Sequence, residues 1–276
     1  MQRRTFLLTT AGGLSGYFFC DAVRAAGDFS VAVVPQVPVA EIDAEWTPFL
    51  RELSARSGTS MRLALRSTIP EFETYFSAGT PDFIYCNPYH VVMANRAAGY
   101  IPLVRRREAL KGLLVTKRDG PVQKLADLAG KTILFPAPNA FGASLYLRAL
   151  LTERDKINFT SQYVKTHTNV FRGVILGQGA AGGAIQATFD REPKEVRDEL
   201  RILFETPPAA PHALCAHPRV PADVRQAVSR AILDSSNATM QRLLPREQLN
   251  DPISADYARD YAVLDRLKIE RFVVRN

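Results

Sequence analysis

The sequence predicts an α/β fold with mostly parallel sheets. Short apolar runs typical of buried strands alternate with segments whose apolar residues recur at helical spacing. Glycine or proline marks many junctions, as Pro35 does after the first apolar run and Gly58 after the first helical segment. Such alternation is typical of βαβ units, whose strands pair in parallel. A chain of 276 residues can form one large domain or two lobes with separate cores.

The individual elements follow from these local patterns. Strands are predicted where short runs are rich in aliphatic and aromatic residues, at 29–34, 61–66, 82–86, 101–104, 112–116, 131–135, 162–165, 181–185, 201–204 and 213–216. Helices are predicted where the apolar period lengthens, at 46–57, 71–77, 89–98, 142–153, 169–177, 193–199, 222–234, 236–244 and 254–267. Residues 127–130 are expected to form the loop before the strand at 131–135.

The first 25 residues are predicted to be a signal peptide of the twin-arginine type. Arg3 and Arg4, followed by Thr-Phe-Leu, precede a short apolar stretch, and small residues at Ala25 and Ala26 offer a cleavage site. An ordinary secretory signal is the alternative. The apolar stretch is too short to favour a retained membrane anchor, and the bulky residues before Cys20 do not resemble a lipoprotein signal. We therefore expect an exported protein of the periplasm.

Composition argues against several classes of function. The net charge of +7 is dispersed, and its one tight cluster, at 105–107, is interpreted as a solvated edge rather than a nucleic-acid site. Beyond the signal there is no run of about 18 apolar residues, so the mature chain is expected to stay out of the membrane. A monomer is expected. The histidines lack metal-site spacing, so neither a metal nor a cofactor is expected. The positive balance modestly favours an anionic ligand.

Four predicted strand ends carry the candidate binding residues. In open α/β sheets, ligands bind in the crevice outside the carboxyl ends of the strands. The groups found there are amides, hydroxyls, a thiol and an imidazole, without carboxylates, which is typical of a polar recognition site and not of an acid/base pair. The candidates are Gln36, then Cys86, Asn87 and Tyr89, then Asn139, Ala140, Phe141 and Ser144, and finally His167 and Asn169.

The turn from the strand at 131–135 into the helix at 142–153 is the most specific of the four. The first N–H groups of a helix have no partner within it, and together with the helix dipole they attract an anion. We expect Asn139, Ala140 and Phe141 to offer such donors, and Ser144 a hydroxyl. A plain structural turn is the alternative for the first three, and packing within the helix is the alternative for Ser144.

The other candidates also have structural alternatives. Tyr89 could pack within its helix, and Asn169 could cap the helix that it begins. His167 could be satisfied by backbone groups. Cys86 could be a small buried apolar residue. In an oxidising periplasm it could also pair with Cys215, although two free thiols are preferred because the two cysteines are far apart in sequence.

Five segments in order resemble the phosphate/phosphite/phosphonate substrate-binding proteins of ABC transporters, of the phosphonate-binding type. They are VAVVPQVP (31–38), DFIYCNPY (82–89), LADLAGKT (125–132), THTNV (166–170) and AAGGA (180–184). The resemblance covers about residues 29–235. It implies a two-lobed type II periplasmic-binding-protein fold that closes on its ligand by hinge motion. Lobe one would comprise 28–110 plus 212–276, and lobe two 111–211.

The resemblance also implies a function. The protein would capture a small anion, such as a phosphonate, phosphite or phosphate, between the lobes and deliver it to an ABC transporter permease. Some members of the family serve instead as ligand-sensing partners of membrane histidine kinases, which is the alternative. Where the family usually has several hydroxyls, residues 139–144 keep only Ser144, so a softer oxyanion that contacts Cys86 is also considered. An enzyme using Cys86 and His167 lacks any catalytic signature, and no catalytic residue is expected.

Overall fold

The computed structural model describes residues 28–36, 38–245 and 249–274. The predicted signal peptide at 1–25 lies outside these residues. Within them the chain adopts the predicted α/β class. None of the described helices combines the length and the apolar character needed to cross a lipid bilayer.

The elements follow the predicted order closely. The described strands are β1 (Phe29–Val33), β2 (Met61–Leu63), β3 (Phe83–Cys86), β4 (Ile101–Arg106), β5 (Gly112–Lys117), β6 (Thr132–Phe135), β7 (Thr160–Tyr163), β8 (Ala181–Ile185), β9 (Leu200–Glu205), β10 (Ala213–Ala216) and β11 (Pro252–Ser254).

The described α-helices are α1 (Val39–Ser57), α2 (Ile69–Ser77), α3 (Pro88–Ala98), α4, α5 (His167–Ile175), α6 (Gln186–Asp190), α7 (Lys194–Asp198), α8 (Ala222–Leu233) and α9 (Ala238–Leu243). Helix α4 is continuous but has wider π-type turns at both ends, so it comprises Phe141–Leu145, Tyr146–Ala149 and Leu150–Arg154. Shorter helical turns are Leu125–Leu128, Tyr257–Tyr261, Ala262–Leu267 and Ile269–Phe272.

The strands form two separate sheets. One has the order β11-β4-β10-β3-β1-β2, and the other has the order β7-β6-β8-β5-β9. The first sheet draws its strands from the two ends of the chain and the second from the middle. We call the first sheet with its helices lobe one and the second sheet with its helices lobe two.

The sheets are mixed rather than mostly parallel, which corrects the expectation from the sequence. β1 pairs in parallel with β2 and β3, and β6 pairs in parallel with β7 and β8. β5 and β10 run antiparallel to their neighbours. Both strands enter their sheet from the other lobe and not through a helix packed on the same sheet, so nothing requires them to keep the parallel direction.

Two adjacent crossings connect the lobes. The chain passes from β4 to β5 and later returns from β9 to β10. The two crossings pair with each other. The Leu110 N–H donates to the Ala209 carbonyl at 2.9 Å, and the Ala209 N–H donates to the Leu110 carbonyl at 3.0 Å. Hinge motion between two lobes is absorbed by a few loop residues of this kind.

The first turn of α4 lies directly on the sheet of lobe two. A Cβ on Gly183 of β8 would overlap the Ala143 carbonyl, and a Cβ on Gly112 of β5 would overlap the Gly142 carbonyl. Glycine at these two positions lets the helix backbone approach the strands closely. Gly112 and Gly183 therefore allow the first turn of α4 to lie against β5 and β8.

An apolar cluster that includes the C-terminal segment, residues 257–274, lies between the lobes. From α4 it takes Phe141, Leu145 and Tyr146, and from the C-terminal segment Tyr261 and Ile269. Two ion pairs lie along the same segment. Arg271 Nη1 lies 2.5 Å from Glu153 Oε1 of α4, and Glu270 Oε2 lies 3.9 Å from Arg96 Nη1 of α3. The C-terminal segment thus contacts both lobes.

Helix α1 begins at Val39 and not at 46, and helix α6 was not predicted. Two further local predictions were wrong. The helix predicted at 254–267 is preceded by strand β11, which pairs antiparallel with the edge strand β4, and helical turns begin only at Tyr257. The strand predicted at 162–165 lies at Thr160–Tyr163, because Lys165 has φ +77° and cannot continue an extended strand. Both errors depend on tertiary pairing or on one backbone angle, which local patterns do not report.

Candidate functional site

A cavity of about 470 Å³ opens between the lobes at the carboxyl ends of β1, β3, β6 and β7. Lobe one contributes Pro35, Gln36, Ile69, Pro70 and Asn87, lobe two contributes Pro136, Ala137, Pro138, Asn139, Ala140, Lys165 and His167, and the C-terminal segment contributes Val274. We call this cavity the cleft. Gln36, Asn87, Asn139, Ala140 and His167 were all predicted from the sequence, and the fold brings them together here.

The loop at 136–140 forms the floor of the cleft on lobe two. Pro136 and Pro138 fix the backbone after β6 and lack N–H groups of their own. The first helical hydrogen bonds of α4 run from the N–H groups of Ser144 and Leu145 to the Ala140 carbonyl, at 2.9 and 3.1 Å. The N–H groups just before them have no helical acceptor, as at any helix start, so this end of α4 is a donor-rich border of the cleft.

The buried side chain of Arg148 in α4 is hydrogen-bonded to the loop at 136–140. Arg148 Nε donates to Ser144 Oγ at 3.1 Å, and a terminal nitrogen of the same guanidinium donates to the Pro138 carbonyl. Ser144 Oγ also donates to the Pro138 carbonyl, at 3.1 Å. Burial lowers the pKa of Arg148 from its usual value. Ser144 is therefore buried and supports the loop, and it does not line the cleft.

Asn139 uses its amide to hold the C-terminal segment. Its Nδ2 donates to the Val274 carbonyl at 2.9 Å, and its Oδ1 accepts from the Val274 N–H at 3.0 Å. The two residues lie 135 positions apart in the sequence. This pairing places Val274 in the wall of the cleft, which nothing in the local sequence indicated.

Lys165 and His167 lie at the start of α5. Lys165 carries the one formal charge among the described residues that line the cleft. His167 Nδ1 lies 3.1 Å from Thr188 Oγ1. Burial lowers the pKa of His167, although the carboxylate of Glu192 opposes this shift, so the ring is mainly neutral near pH 7. Sequence reasoning missed Lys165, even though it directly precedes the THTNV segment.

Asn169 does not cap α5 and does not line the cleft. Thr166 is the N-cap, because its Oγ1 accepts from the Asn169 N–H at 3.1 Å. The Asn169 side chain donates to the Val164 carbonyl at 2.8 Å from an exposed position. The helix begins two residues earlier than predicted, at His167, which explains why the wrong residue was considered as its cap.

On lobe one, two polar side chains are already engaged. Gln36 Nε2 lies 3.0 Å from His212 Nε2. Burial, followed by the nearby His90 and Arg106, lowers the pKa of His212 to about 3, so its neutral ring accepts a hydrogen bond from the amide. Asn87 is the N-cap of α3, and its Oδ1 accepts from the His90 N–H at 2.9 Å.

Three further candidates lie in the apolar core next to the cleft and do not line it. Cys86 is buried on β3, and both it and Cys215 of the neighbouring strand β10 are free thiols. Burial raises the pKa of the Cys86 thiol well above its usual value, with a further contribution from Cys215. Tyr89 is buried beside His90, and Phe141 stacks on Tyr146 with ring centroids 5.5 Å apart.

The groups that line the cleft are of kinds that can bind an anion without covalent chemistry. Its lining combines a lysine, an imidazole, amides and a helix start, and none of the described lining residues is a carboxylate. The described residues contain no cluster of three or more His, Cys, Asp or Glu side chains suited to a metal ion.

Comparison with known proteins identifies the family. Residues 31–274 match the family described as the periplasmic substrate-binding protein of the phosphonate ABC transporter. The chain belongs to this family. The family binds a substrate for transport and is not enzymatic, and it is periplasmic, so the resemblance and the expectation of a binding protein are confirmed. A comparison with curated proteins found no match.

Solved structures of similar proteins show the same fold. PhnD1 from Prochlorococcus marinus, in complex with methylphosphonate, is 13% identical with a TM-score of 0.69, over 88% of this chain and 97% of that one. A binding protein of an ABC phosphonate transporter from Pseudomonas aeruginosa is 13% identical with a TM-score of 0.66, over 88% and 87%. A Xanthomonas citri protein bound to ATP is 16% identical with a TM-score of 0.74, over 88% and 97%. These likenesses confirm the two-lobed type II periplasmic-binding-protein fold.

Proposed function

We propose that this protein captures a small oxyanion, of the phosphonate, phosphite or phosphate kind, in the cleft and presents it to the permease of an ABC transporter. The observation that carries the proposal is the composition of the cleft on lobe two, where Lys165, His167 and the start of α4 converge without a carboxylate. A buried oxyanion needs hydrogen-bond donors and positive charge to replace its hydration. The methylphosphonate bound to PhnD1, a protein of similar fold, agrees with this choice.

Ligand binding is tested by calorimetry and thermal shift on the purified mature protein. The panel is phosphate, phosphite, methylphosphonate, sulfate and arsenite. A ligand at 100 times its dissociation constant adds about 2.7 kcal/mol to the free energy of unfolding. If no oxyanion shifts the transition, the proposed function is refuted.

Lys165→Gln tests whether the cleft is the site. Removing a charge-assisted hydrogen bond of about 1.5–3 kcal/mol lowers affinity for the bound oxyanion roughly 10- to 100-fold. Lys156→Gln is the matched control, because Lys156 is exposed, also has positive φ (+56°) and does not line the cleft. Equal losses in the two variants would place the site elsewhere.

The transporter partner is proposed from the family, and the export signal at 1–25 from the sequence. The partner is tested by photo-crosslinking in cells from residues at the rim of the cleft. The export signal is tested by export assays of the Arg3→Lys/Arg4→Lys variant. A permease in the crosslinked product supports the proposal, whereas a membrane histidine kinase would favour the sensing role. A softer oxyanion held by Cys86 has less support, since Cys86 is buried outside the cleft.

A further inference from the structure

The lining of the cleft combines polar and apolar residues. The groups that can bind an anion, at Ala140, Lys165 and His167, belong to lobe two. Ile69 and Pro70 of lobe one and Val274 of the C-terminal segment are apolar members of the same lining. The cleft therefore offers some groups suited to a charged ligand group and others suited to a hydrocarbon.

Most polar groups away from Lys165 and His167 are not available to a ligand. Prolines occupy four of the lining positions, 35, 70, 136 and 138, and proline has no N–H to donate. The Gln36 N–H donates to the Val34 carbonyl at 2.9 Å, and the Gln36 amide donates to His212. Both ends of the Asn139 amide are bonded to Val274. A second polar group on the ligand would find few partners in lobe one, chiefly the amide of Asn87.

The lining also disfavours a cationic substituent. An ammonium group removed from water needs a carboxylate or several acceptors nearby. The described lining has no carboxylate, and its one formal charge is positive. An aminoalkyl substituent would leave its charge uncompensated in the cleft.

The volume exceeds what a bare oxyanion fills. Ligand cavities of roughly 300–1,000 Å³ usually enclose molecules larger than a single tetrahedral anion, and the cleft has about 470 Å³. Hydrocarbon placed against Ile69, Pro70 and Val274 gains free energy in proportion to the apolar area removed from water.

We propose that the ligand is an oxyanion with an uncharged apolar substituent of several carbon atoms. Its head group binds Lys165 and the start of α4, and its substituent packs against Ile69, Pro70 and Val274. This inference rests on the proposed function and adds to it the chemical class of the substituent that the oxyanion carries. The C-terminal segment, which Asn139 holds in place, is then part of the binding site and selects the substituent.

A matched ligand series tests this selectivity by calorimetry on the mature protein. The ligands are phosphate, methylphosphonate, propylphosphonate and 2-aminoethylphosphonate, the last replacing the terminal methyl of propylphosphonate by ammonium. Each methylene that becomes buried increases affinity about fourfold, so propylphosphonate binds more tightly than methylphosphonate. Propylphosphonate also binds at least about tenfold more tightly than 2-aminoethylphosphonate, because the ammonium group must be desolvated without a partner.

Val274→Asn tests the wall itself, since the substitution keeps the backbone groups that pair with Asn139. It lowers affinity for propylphosphonate about fourfold or more and leaves affinity for methylphosphonate nearly unchanged. Val263→Asn is the control, because Val263 is an exposed valine of the same C-terminal segment outside the cleft.

The outcomes separate this inference from the proposed function. If methylphosphonate binds but affinity does not rise with chain length, or if 2-aminoethylphosphonate binds best, the apolar-substituent inference is wrong and the proposed function stands. If Val274→Asn and Val263→Asn behave alike, the C-terminal segment does not form the wall. If none of the ligands binds, the proposed function fails and this inference fails with it.

Discussion

The pairing of Asn139 with Val274 predicts a structural role for the Asn139 side chain. The sequence suggested Asn139 as a ligand contact through its backbone N–H group, whereas its side-chain amide is bonded at both ends to the C-terminal backbone. Asn139→Ala removes two hydrogen bonds, each contributing about 0.5–1.5 kcal/mol. Because both groups are partly exposed, we expect a total loss of only about 1 kcal/mol in the free energy of unfolding.

The local effect should be larger than the global one. In Asn139→Ala the Val274 N–H loses its acceptor, so hydrogen exchange in the C-terminal peptide should accelerate roughly fivefold, the factor that about 1 kcal/mol produces in a local opening equilibrium. Exchange is measured by mass spectrometry on the protein without ligand. Asn169→Ala is the control, since its amide donates once, to Val164, at an exposed site of lobe two.

Two results would contradict this reasoning. Unchanged exchange at Val274 in Asn139→Ala would mean that the amide does not hold the C-terminal segment. A loss of more than about tenfold in methylphosphonate affinity with unchanged exchange would show that the Asn139 side chain contacts the ligand directly.

Three further predictions concern packing, the thiol and pH. Gly183→Ala forces a Cβ into the Ala143 carbonyl and should lower the free energy of unfolding by about 1–3 kcal/mol or more in urea titrations; a neutral result would contradict the close approach. Cys86→Ala should keep oxyanion affinity within about twofold by calorimetry, because the thiol does not line the cleft, and a large loss would restore a ligand or catalytic role. His212 has a folded pKa of about 3, below its unfolded value, so the unfolded chain binds its proton first and stability should fall as pH drops from about 6.5 towards 3. His212→Phe should reduce that fall in urea titrations across the same range, and an unchanged slope would show that His212 is not its source.

Much of the fold was predictable because its elements are local. Apolar runs and helical spacing located most strands and helices, and Pro35 and Gly58 marked junctions that the structure keeps. The pairing direction of β5 and β10 was not predictable, because it depends on which lobe a strand enters.

The candidate site was predicted in part. The strand ends before Gln36, Asn87, Asn139 and His167 were identifiable because parallel strands bring their carboxyl ends to one edge, and all four residues line the cleft. Whether a side chain at such an end faces the cleft or the core was not predictable. Cys86, only one position before Asn87, lies in the apolar core and does not line the cleft.

The α/β class and the loops that border the cleft could be inferred from the amino-acid sequence, since each depends on residues close together in the chain, and five ordered segments indicated the family. Which polar groups remain available to a ligand depends on long-range contacts that appear only in the folded protein. Arg148 engages Ser144, His212 engages Gln36, and Val274 engages Asn139. Hydrogen bonds between residues more than 100 positions apart, as the last two pairs are, leave no local pattern, yet they commit the donors that a buried oxyanion would otherwise use.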